Sequence, residues 1–336
     1  MRLVASFLYP IDRPAPSKKT LLKIKQSLLY VNKLMLILNK VIRKIAMAQD
    51  AFAGVHTKNK LDALESYIEA YVRVLKKQSF KLVYFDAFAG TGEIPIPLES
   101  EQSRLPIEDY EMFVEGSVKR ALKFPFSEFH FIEKIKRKSN ELKEYCDKMH
   151  FDKNILIQNC DANDAIRTFI NQFNSKTTRA IMFLDPYGNQ VSMDTFRYIA
   201  TKPGIDVWYL FPAGLGVQRQ IGKFGEIYED HEKSLDRFFG DGDWRHELVS
   251  QVSQINLFGE KVTTKIKQSD PEMITKLMIK RLKTVFDERV VDDWLPLGPG
   301  RHHWYSLLFM WSNPMTKANL AGKLAKAVLK TSKKQL

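Results

Sequence analysis

Short apolar runs alternate with helical patterns along the middle of this chain, and this alternation constrains the fold more than any other feature. The first run, KLVYFDAF, stops at the turn AGTG, as a buried parallel strand does. Four similar runs follow, FSEFHFIE, NILIQNC, RAIMFLD and IDVWYLFP, and segments with helical spacing separate them. Strands that alternate with helices predict a parallel α/β sheet.

The last third of the chain departs from this alternation. A helical pattern, PEMITKLMIKRLKTVF, precedes two strand-like segments, ERVVDDWLPL and WYSLLFMWS, and a basic helix is predicted from Thr316. Two consecutive strands without a crossover helix predict an antiparallel hairpin. Five parallel strands completed by this pair favour a Rossmann-like, seven-stranded, mostly parallel sheet with an antiparallel last strand.

Charge and composition set the predicted domain boundaries. Residues 1–46 hold ten Lys or Arg against one acid and so account for most of the net charge of +13. This segment is read as a basic arm for nucleic acid, a targeting presequence or, the reading we favour, sequence upstream of a true start at Met47. The sequence predicts one domain over 47–336, with helical insertions at 93–110 and 214–268.

Composition also excludes several classes of protein. The two cysteines cannot build a disulfide framework or a four-thiolate zinc site, and no other grouping has metal-ligand spacing. The longest apolar stretches fall short of the roughly 20 residues that cross a bilayer. We therefore predict a cytoplasmic protein with no bound metal and no membrane partner. Nucleic-acid binding has weak support, because the basic charge is concentrated in one segment.

Acidic residues end four successive predicted strands: Asp86, Glu133, Asp161 and Asp185. Each of them alone is more often a helix cap or part of a solvated turn. Ligands bind at the carboxyl ends of the strands in sheets of this type, so all four are expected to gather at one edge. The order of the four favours a cofactor pocket.

The turn after the first strand is the predicted cofactor loop, with Asp86, Phe88, Ala89, Gly90 and Gly92 as its binding residues. The glycines let the main chain approach a ligand closely. A dinucleotide needs a third glycine and an unobstructed helix N-terminus for its pyrophosphate. Because AGTGEIPIP places prolines at that position, the sequence favours a cofactor without phosphate, S-adenosylmethionine.

Two acids have predicted roles toward this cofactor. Glu133 lies where an acceptor holds the two hydroxyls of a ribose. Asp161 is able to accept from an adenine amino group, but it precedes the helix-like ANDAI and is equally well placed to cap that helix.

The segment Asp185, Pro186 and Tyr187 is the predicted reaction centre. Asp185 can accept a hydrogen bond from a substrate amino group, the Pro186 region can present a carbonyl, and Tyr187 can stack on a planar base. These features suit methylation of an exocyclic amine. The alternative is a simple β-turn with Pro and Gly in common positions.

The strings HTKNKLDALESYIEAY, YFDAFAGTGE, EGSVKRAL, FIEK, FLDPYG, WYLFPAG and FFGDGDW together resemble the three-Cys-motif partner protein family of prokaryotes. The resemblance covers about residues 55 to 315. It implies a class I methyltransferase fold and the same roles for Asp86, Gly90, Gly92, Glu133 and the Asp185–Tyr187 segment. It also implies a partner protein with three cysteines, similar to radical enzymes.

One departure concerns the substrate. Amino methyltransferases that act on adenine or cytosine carry Asp-Pro-Pro-Tyr, whereas this chain has a single proline and then Tyr187-Gly188. Three hypotheses follow: a methyltransferase of unknown acceptor, a catalytically degenerate protein that assembles with the three-cysteine partner, and a nucleic-acid-binding module.

Overall fold

The computed structural model describes residues 55–91, 117–148, 153–222, 225–241, 243–255, 261–267, 270–298, 303–314 and 319–336. Three predicted features, the basic segment 1–46, Gly92 and the insertion 93–110, lie outside these residues.

The helices of the described residues are α1 (Val55–Leu75), α2 (Lys136–Lys148), α3 (Ala162–Gln172), α4 (Met193–Ala200), α5 (Glu229–Phe239), α6 (Trp244–Leu248), α7 (Pro271–Phe286) and α8 (Leu320–Lys333). The strands are β1 (Lys81–Asp86), β2 (Glu128–Ile132), β3 (Ile155–Gln158), β4 (Thr178–Leu184), β5 (Ile205–Phe211), β6 (Val249–Ile255), β7 (Lys261–Lys267), β8 (Leu295–Leu297) and β9 (Tyr305–Trp311).

Seven strands form one sheet in the order β3-β2-β1-β4-β5-β9-β8. The first five are parallel, and β9 runs antiparallel to both of its neighbours. This topology confirms the predicted Rossmann-like class I methyltransferase fold, including the hairpin of the last two strands. Strand β8 is shorter than predicted. Val290 forms only an isolated bridge to Met310, and the intervening Asp292 and Asp293 pair with Lys283 and Lys333.

The two faces of the sheet are covered by different helices. On one face α3, α4 and α7 bury Phe169, Phe196 and Leu282 in the main hydrophobic cluster. On the other face the Tyr67 ring of α1 packs against Trp208 and Phe309, with centroid distances of 5.2 and 4.9 Å. Each large side chain buried in this way contributes about 1.5–3 kcal/mol. Packing against the sheet therefore fixes α1 beside the strand ends that form the site.

The segment predicted as the second insertion is only partly helical. A π-helical turn (Ala213–Gln218) follows β5, and α5 and α6 come next. Strands β6 and β7 then form a separate antiparallel pair that was not predicted. Their sequences, VSQVSQI and KVTTKIK, are rich in polar residues, so they lack the apolar runs that revealed the other strands.

Within the described ranges, the structure contains no helix of sufficient length and apolar character to cross a membrane.

Candidate cofactor-binding site

Hydrogen bonds at both carboxylate oxygens of Asp86 hold the turn that follows β1. Asp86 is fully buried, and its Oδ1 accepts from the Phe88 N–H at 3.1 Å while its Oδ2 accepts from the Ser117 hydroxyl at 2.8 Å. The Ala89 N–H donates to the Ile132 carbonyl at 2.9 Å. Gly90 then has a φ of 64°, which a side chain rarely tolerates. The glycine lets the backbone turn across the ends of β1 and β2.

A cavity of about 330 Å³ opens beside this turn, at the carboxyl ends of β1, β2 and β3. Its size falls within the range of small-molecule sites. Five of the predicted residues line it: Phe88, Gly90, Glu133, Asp161 and Tyr187. The other predicted residues described by the structure, Asp86, Ala89, Asp185 and Pro186, are buried and are not part of the wall.

Glu133 lies at the end of β2 and reaches the cavity wall. Its backbone N–H donates to the Gln158 carbonyl at 3.0 Å, which extends the pairing of β2 with β3. Its Oε1 accepts from the Ile135 N–H at 2.7 Å. The carboxylate is therefore held in place at the edge of the cavity, and its predicted role as an acceptor for ribose hydroxyls stays a prediction.

Asp161 caps α3, as the alternative reading of the sequence predicted. It accepts from the Asn163 N–H at 2.9 Å and from the Lys134 ammonium at 3.1 Å. Burial alone would raise the pKa of Asp161, but these bonds outweigh it and hold the pKa below its usual value. Asp161 is thus an ionised acceptor in the cavity wall, and its predicted contact with adenine stays a prediction.

Asn163 connects the wall beside Asp161 to the loop that follows β4. Its Nδ2 donates to the Gln190 carbonyl at 2.9 Å, and its Oδ1 accepts from the Thr195 hydroxyl at 2.6 Å. Gln190 in turn accepts from the Tyr187 N–H at 3.0 Å. The sequence analysis missed Asn163 and Gln190, because their roles depend on loops that meet only in three dimensions.

Asp185 is paired with Lys60, which the sequence analysis also missed. The Lys60 ammonium donates to Asp185 Oδ2 at 2.6 Å, and the two side chains are 0% and 1% exposed. The Lys60 nitrogen also lies 5.1 Å from the centre of the Phe183 ring. The sequence did carry a signal for this pair, because Lys60 is a charged residue on the apolar face of α1, in line with Leu64, Tyr67 and Tyr71.

Burial shifts the pKa values of Lys60, Asp185 and Asp86, whose charges act on one another. Desolvation lowers the pKa of Lys60 to about 8, against the opposing effect of Asp185. It raises the pKa of Asp185, although Lys60 opposes the shift. Desolvation also raises the pKa of Asp86 to about 7, with the Ser117 and Phe88 hydrogen bonds opposing it. Near neutral pH the cluster can therefore hold or release a proton.

The turn after Asp185 directs one aromatic ring outward. Pro186 is buried, Tyr187 is 60% exposed, and Gly188 has a φ of 71°. The backbone bends over 187–189 without a hydrogen-bonded turn among these residues, so the β-turn reading of Asp-Pro-Tyr-Gly stays a prediction. The exposed Tyr187 ring at the cavity rim is compatible with stacking on a planar group.

Among the described residues, no three His, Cys, Asp or Glu side chains lie close enough together to hold a metal ion.

No family model and no curated protein sequence matches the chain. The resemblance to three-Cys-motif partner proteins therefore stays a prediction. Among solved structures, the chain is similar to an S-adenosylmethionine-dependent methyltransferase from Clostridium acetobutylicum, with 11% identity, a TM-score of 0.34, and coverage of 84% of this chain and 99% of that one.

A second similar structure is an O-methyltransferase from Bacillus cereus in complex with SAH. It has 11% identity and a TM-score of 0.31, over 80% of this chain and 96% of that one. Neither likeness is close enough to assign a cofactor or a substrate to this chain.

Proposed function

We propose that this chain binds S-adenosylmethionine in the cavity beside Gly90 and transfers its methyl group to an amino group of an acceptor. The observation that carries the proposal is the position of Glu133, whose anchored carboxylate lines the same cavity as the glycine turn. Glu133 would accept hydrogen bonds from the ribose hydroxyls. The Gly90 backbone would pass close to the remainder of the cofactor.

The charges around the cavity support a ligand without phosphate. Two of the three cations among the described residues that line the cavity pair with acids, Lys134 with Asp161 at 3.1 Å and Arg137 with Glu141 at 2.5 Å, and Lys138 is the third. A bound phosphate would have to compete with these carboxylates. The prolines that follow the glycines in the sequence AGTGEIPIP disfavour a dinucleotide for a separate reason, because a phosphate-binding helix is not expected to begin there.

When bound, S-adenosylmethionine supplies an electrophilic methyl group. The chain would contribute mainly the placement of the acceptor, which is the largest available effect in a transfer of this type. The predicted hydrogen bond from the acceptor amine to Asp185 would require the acceptor to reach a carboxylate that is now 1% exposed and bound by Lys60. Tyr187 would stack on a planar acceptor, and the base of a nucleic acid is one such group.

Calorimetric titration of S-adenosylmethionine and S-adenosylhomocysteine into the full chain tests this proposal. We expect micromolar binding to the wild type and a loss of at least tenfold in Glu133→Ala. Glu144→Ala is the matched control, because Glu144 is exposed on α2 and does not line the cavity. If the wild type binds neither molecule, or if Glu133→Ala binds as well as Glu144→Ala, the proposal is wrong.

The burial of Asp185 favours a second candidate. Its carboxylate is 1% exposed and bound by Lys60, as expected if the fold serves assembly and not catalysis. The chain would then be a catalytically degenerate partner of a protein with three cysteines. A stable co-purified complex with no methyl transfer, either in the complex or from the isolated chain, would favour this candidate, and activity of the isolated chain would exclude it.

A further inference from the structure

A second cavity, of about 140 Å³, lies at the opposite edge of the sheet. It is enclosed by α1, the start of α8, and the amino-terminal ends of β4 and β5. This volume is well above what a single water molecule needs. The most deeply buried polar groups of its wall are Tyr67, Tyr71 and Asp206.

The cost of burying the Asp206 carboxyl group is only partly offset by its protein partners. It is 7% exposed, and its Oδ2 accepts from the Tyr67 hydroxyl at 2.7 Å. No ion pair to Asp206 occurs within the part of the chain that the structure describes. Buried carboxylates are normally paired with a cation or strongly hydrogen-bonded. Burial raises the pKa of Asp206 to about 7, against the Tyr67 hydrogen bond and the charge of Arg179, so an ammonium bound beside the carboxyl group would favour its ionised form.

Tyr71 adds a second polar group. It is 6% exposed, and its hydroxyl has no hydrogen-bond partner among the described residues. Burial, together with the charge of Asp206, raises the pKa of Tyr71 well above its usual value, so the hydroxyl stays protonated and keeps an acceptor lone pair. Because an unsatisfied buried hydroxyl costs about 1–3 kcal/mol, a ligand that bonds to it would gain free energy.

The remaining wall suits the apolar body and the charge of an organic cation. Val74, Leu324 and Trp311 are buried around the cavity, and aromatic faces attract ammonium groups. Arg179, the cation among the described residues of the wall, acts on Asp206 through its charge but makes its hydrogen bonds elsewhere. Its guanidinium donates to the Ser175 and Thr178 carbonyls and stacks 3.7 Å from the centre of the Phe80 ring.

We propose that this cavity is a binding site for a small primary aliphatic amine, whose ammonium donates to Asp206 and Tyr71 while its alkyl chain packs against Val74, Leu324 and Trp311. The site is separate from the cofactor cavity and does not depend on methyl transfer.

Ligand-observed NMR on the full chain tests this site, with n-butylamine as the probe and 1-butanol as its uncharged isostere. We expect saturable binding of butylamine that is at least tenfold tighter than that of butanol. Asp206→Asn should weaken butylamine at least tenfold, and Tyr71→Phe should weaken it severalfold. Asp194→Asn should change nothing, because Asp194 is exposed on α4.

One further variant keeps the test decisive if Asp206→Asn does not fold. Ala321→Phe would fill the cavity from α8 without touching the polar groups, and it should abolish butylamine binding. The proposal is overturned if butylamine does not bind, if butanol binds equally well, or if butylamine binds undiminished to a folded Asp206→Asn or Ala321→Phe variant.

Discussion

The ammonium of Lys60 lies 2.6 Å from the carboxylate of Asp185, and both side chains are almost completely removed from solvent. The bond joins the helix before the sheet to the residue that follows its central strand β4. Because a buried charge depends on its partner, this pair has consequences for stability as well as for the site.

Replacement of Lys60 by Met should destabilise the protein strongly. The substitution leaves the Asp185 carboxylate buried without this ammonium, a change that costs about 3–5 kcal/mol in comparable pairs. Urea denaturation measures the loss. The control is Lys81→Met, which removes the Glu128 pair at a half-exposed position and should cost less than about 1 kcal/mol. Equal losses in the two variants would contradict the role assigned to Lys60.

The contribution of Asp86 to the stability of the wild type should fall as the pH rises from about 4 to 7. Burial raises the pKa of Asp86 to about 7, so in this range the folded protein holds a proton that the unfolded chain has released. The free energy of unfolding then decreases by up to about 1.4 kcal/mol per pH unit for one such group. Above pH 7 this contribution is constant.

Asp86→Asn should flatten that dependence, because the amide does not titrate. Asp206, whose pKa burial also raises to about 7, contributes in the same direction and remains in the variant. Denaturation curves of the wild type and Asp86→Asn at pH 5, 6 and 7 make the comparison. If the free energy of unfolding changes with pH equally in the two proteins, Asp86 does not carry the proton.

Asn163→Ala should loosen the loop after β4. The variant loses the bonds to Gln190 and Thr195, which hold that loop against the cavity wall. We expect faster hydrogen exchange at residues 187–192 and a severalfold weaker affinity for S-adenosylmethionine. Asn171→Ala, which removes an exposed bond to Tyr198, is the control. Unchanged exchange in Asn163→Ala would mean that the loop is held by other contacts.

Two glycines should respond differently to substitution. A Cβ at Gly214 would lie 2.5 Å from the His303 carbonyl oxygen, so Gly214→Ala must displace backbone, at about 1–3 kcal/mol or more. Gly188 has a φ of 71° and open space around it, so only its backbone conformation resists a side chain. Gly188→Asn should therefore be better tolerated than Gly188→Ala, because Asn adopts this conformation more readily.

Thermal unfolding distinguishes the two cases. Gly214→Asn should be at least as damaging as Gly214→Ala, since the larger side chain worsens the clash with the His303 carbonyl. A rescue by Asn at position 214 would contradict the steric explanation.

The sheet could be predicted because its central strands are buried on both faces and read as continuous apolar runs. The runs that contain Phe85, Phe183 and Phe211 have this character, and their strands β1, β4 and β5 lie next to one another in the sheet. The pair β6 and β7 could not be found in this way, since polar residues interrupt both strands.

The candidate site was predictable only in part. Glu133 follows β2 directly and Asp161 comes three residues after the end of β3, so their place at the carboxyl edge depends on local sequence and on the direction of the strand. The partner of Asp185 is 125 positions away on α1, a separation that only tertiary packing brings together. The four acids also separate in depth, because Asp86 and Asp185 are buried while Glu133 and Asp161 reach the cavity.

Helix α1 is fastened to the sheet at two points seven residues apart. Lys60 bonds to Asp185 at one edge, and Tyr67 bonds to Asp206 near the other. Residues seven apart lie on the same side of a helix, and a rotation of one position turns that side by about 100°. Apolar contacts alone would tolerate a small slip, but these two directional bonds do not. The two bonds fix the rotation of α1 about its own axis relative to the sheet, so this orientation of the helix is favoured over orientations turned by one residue.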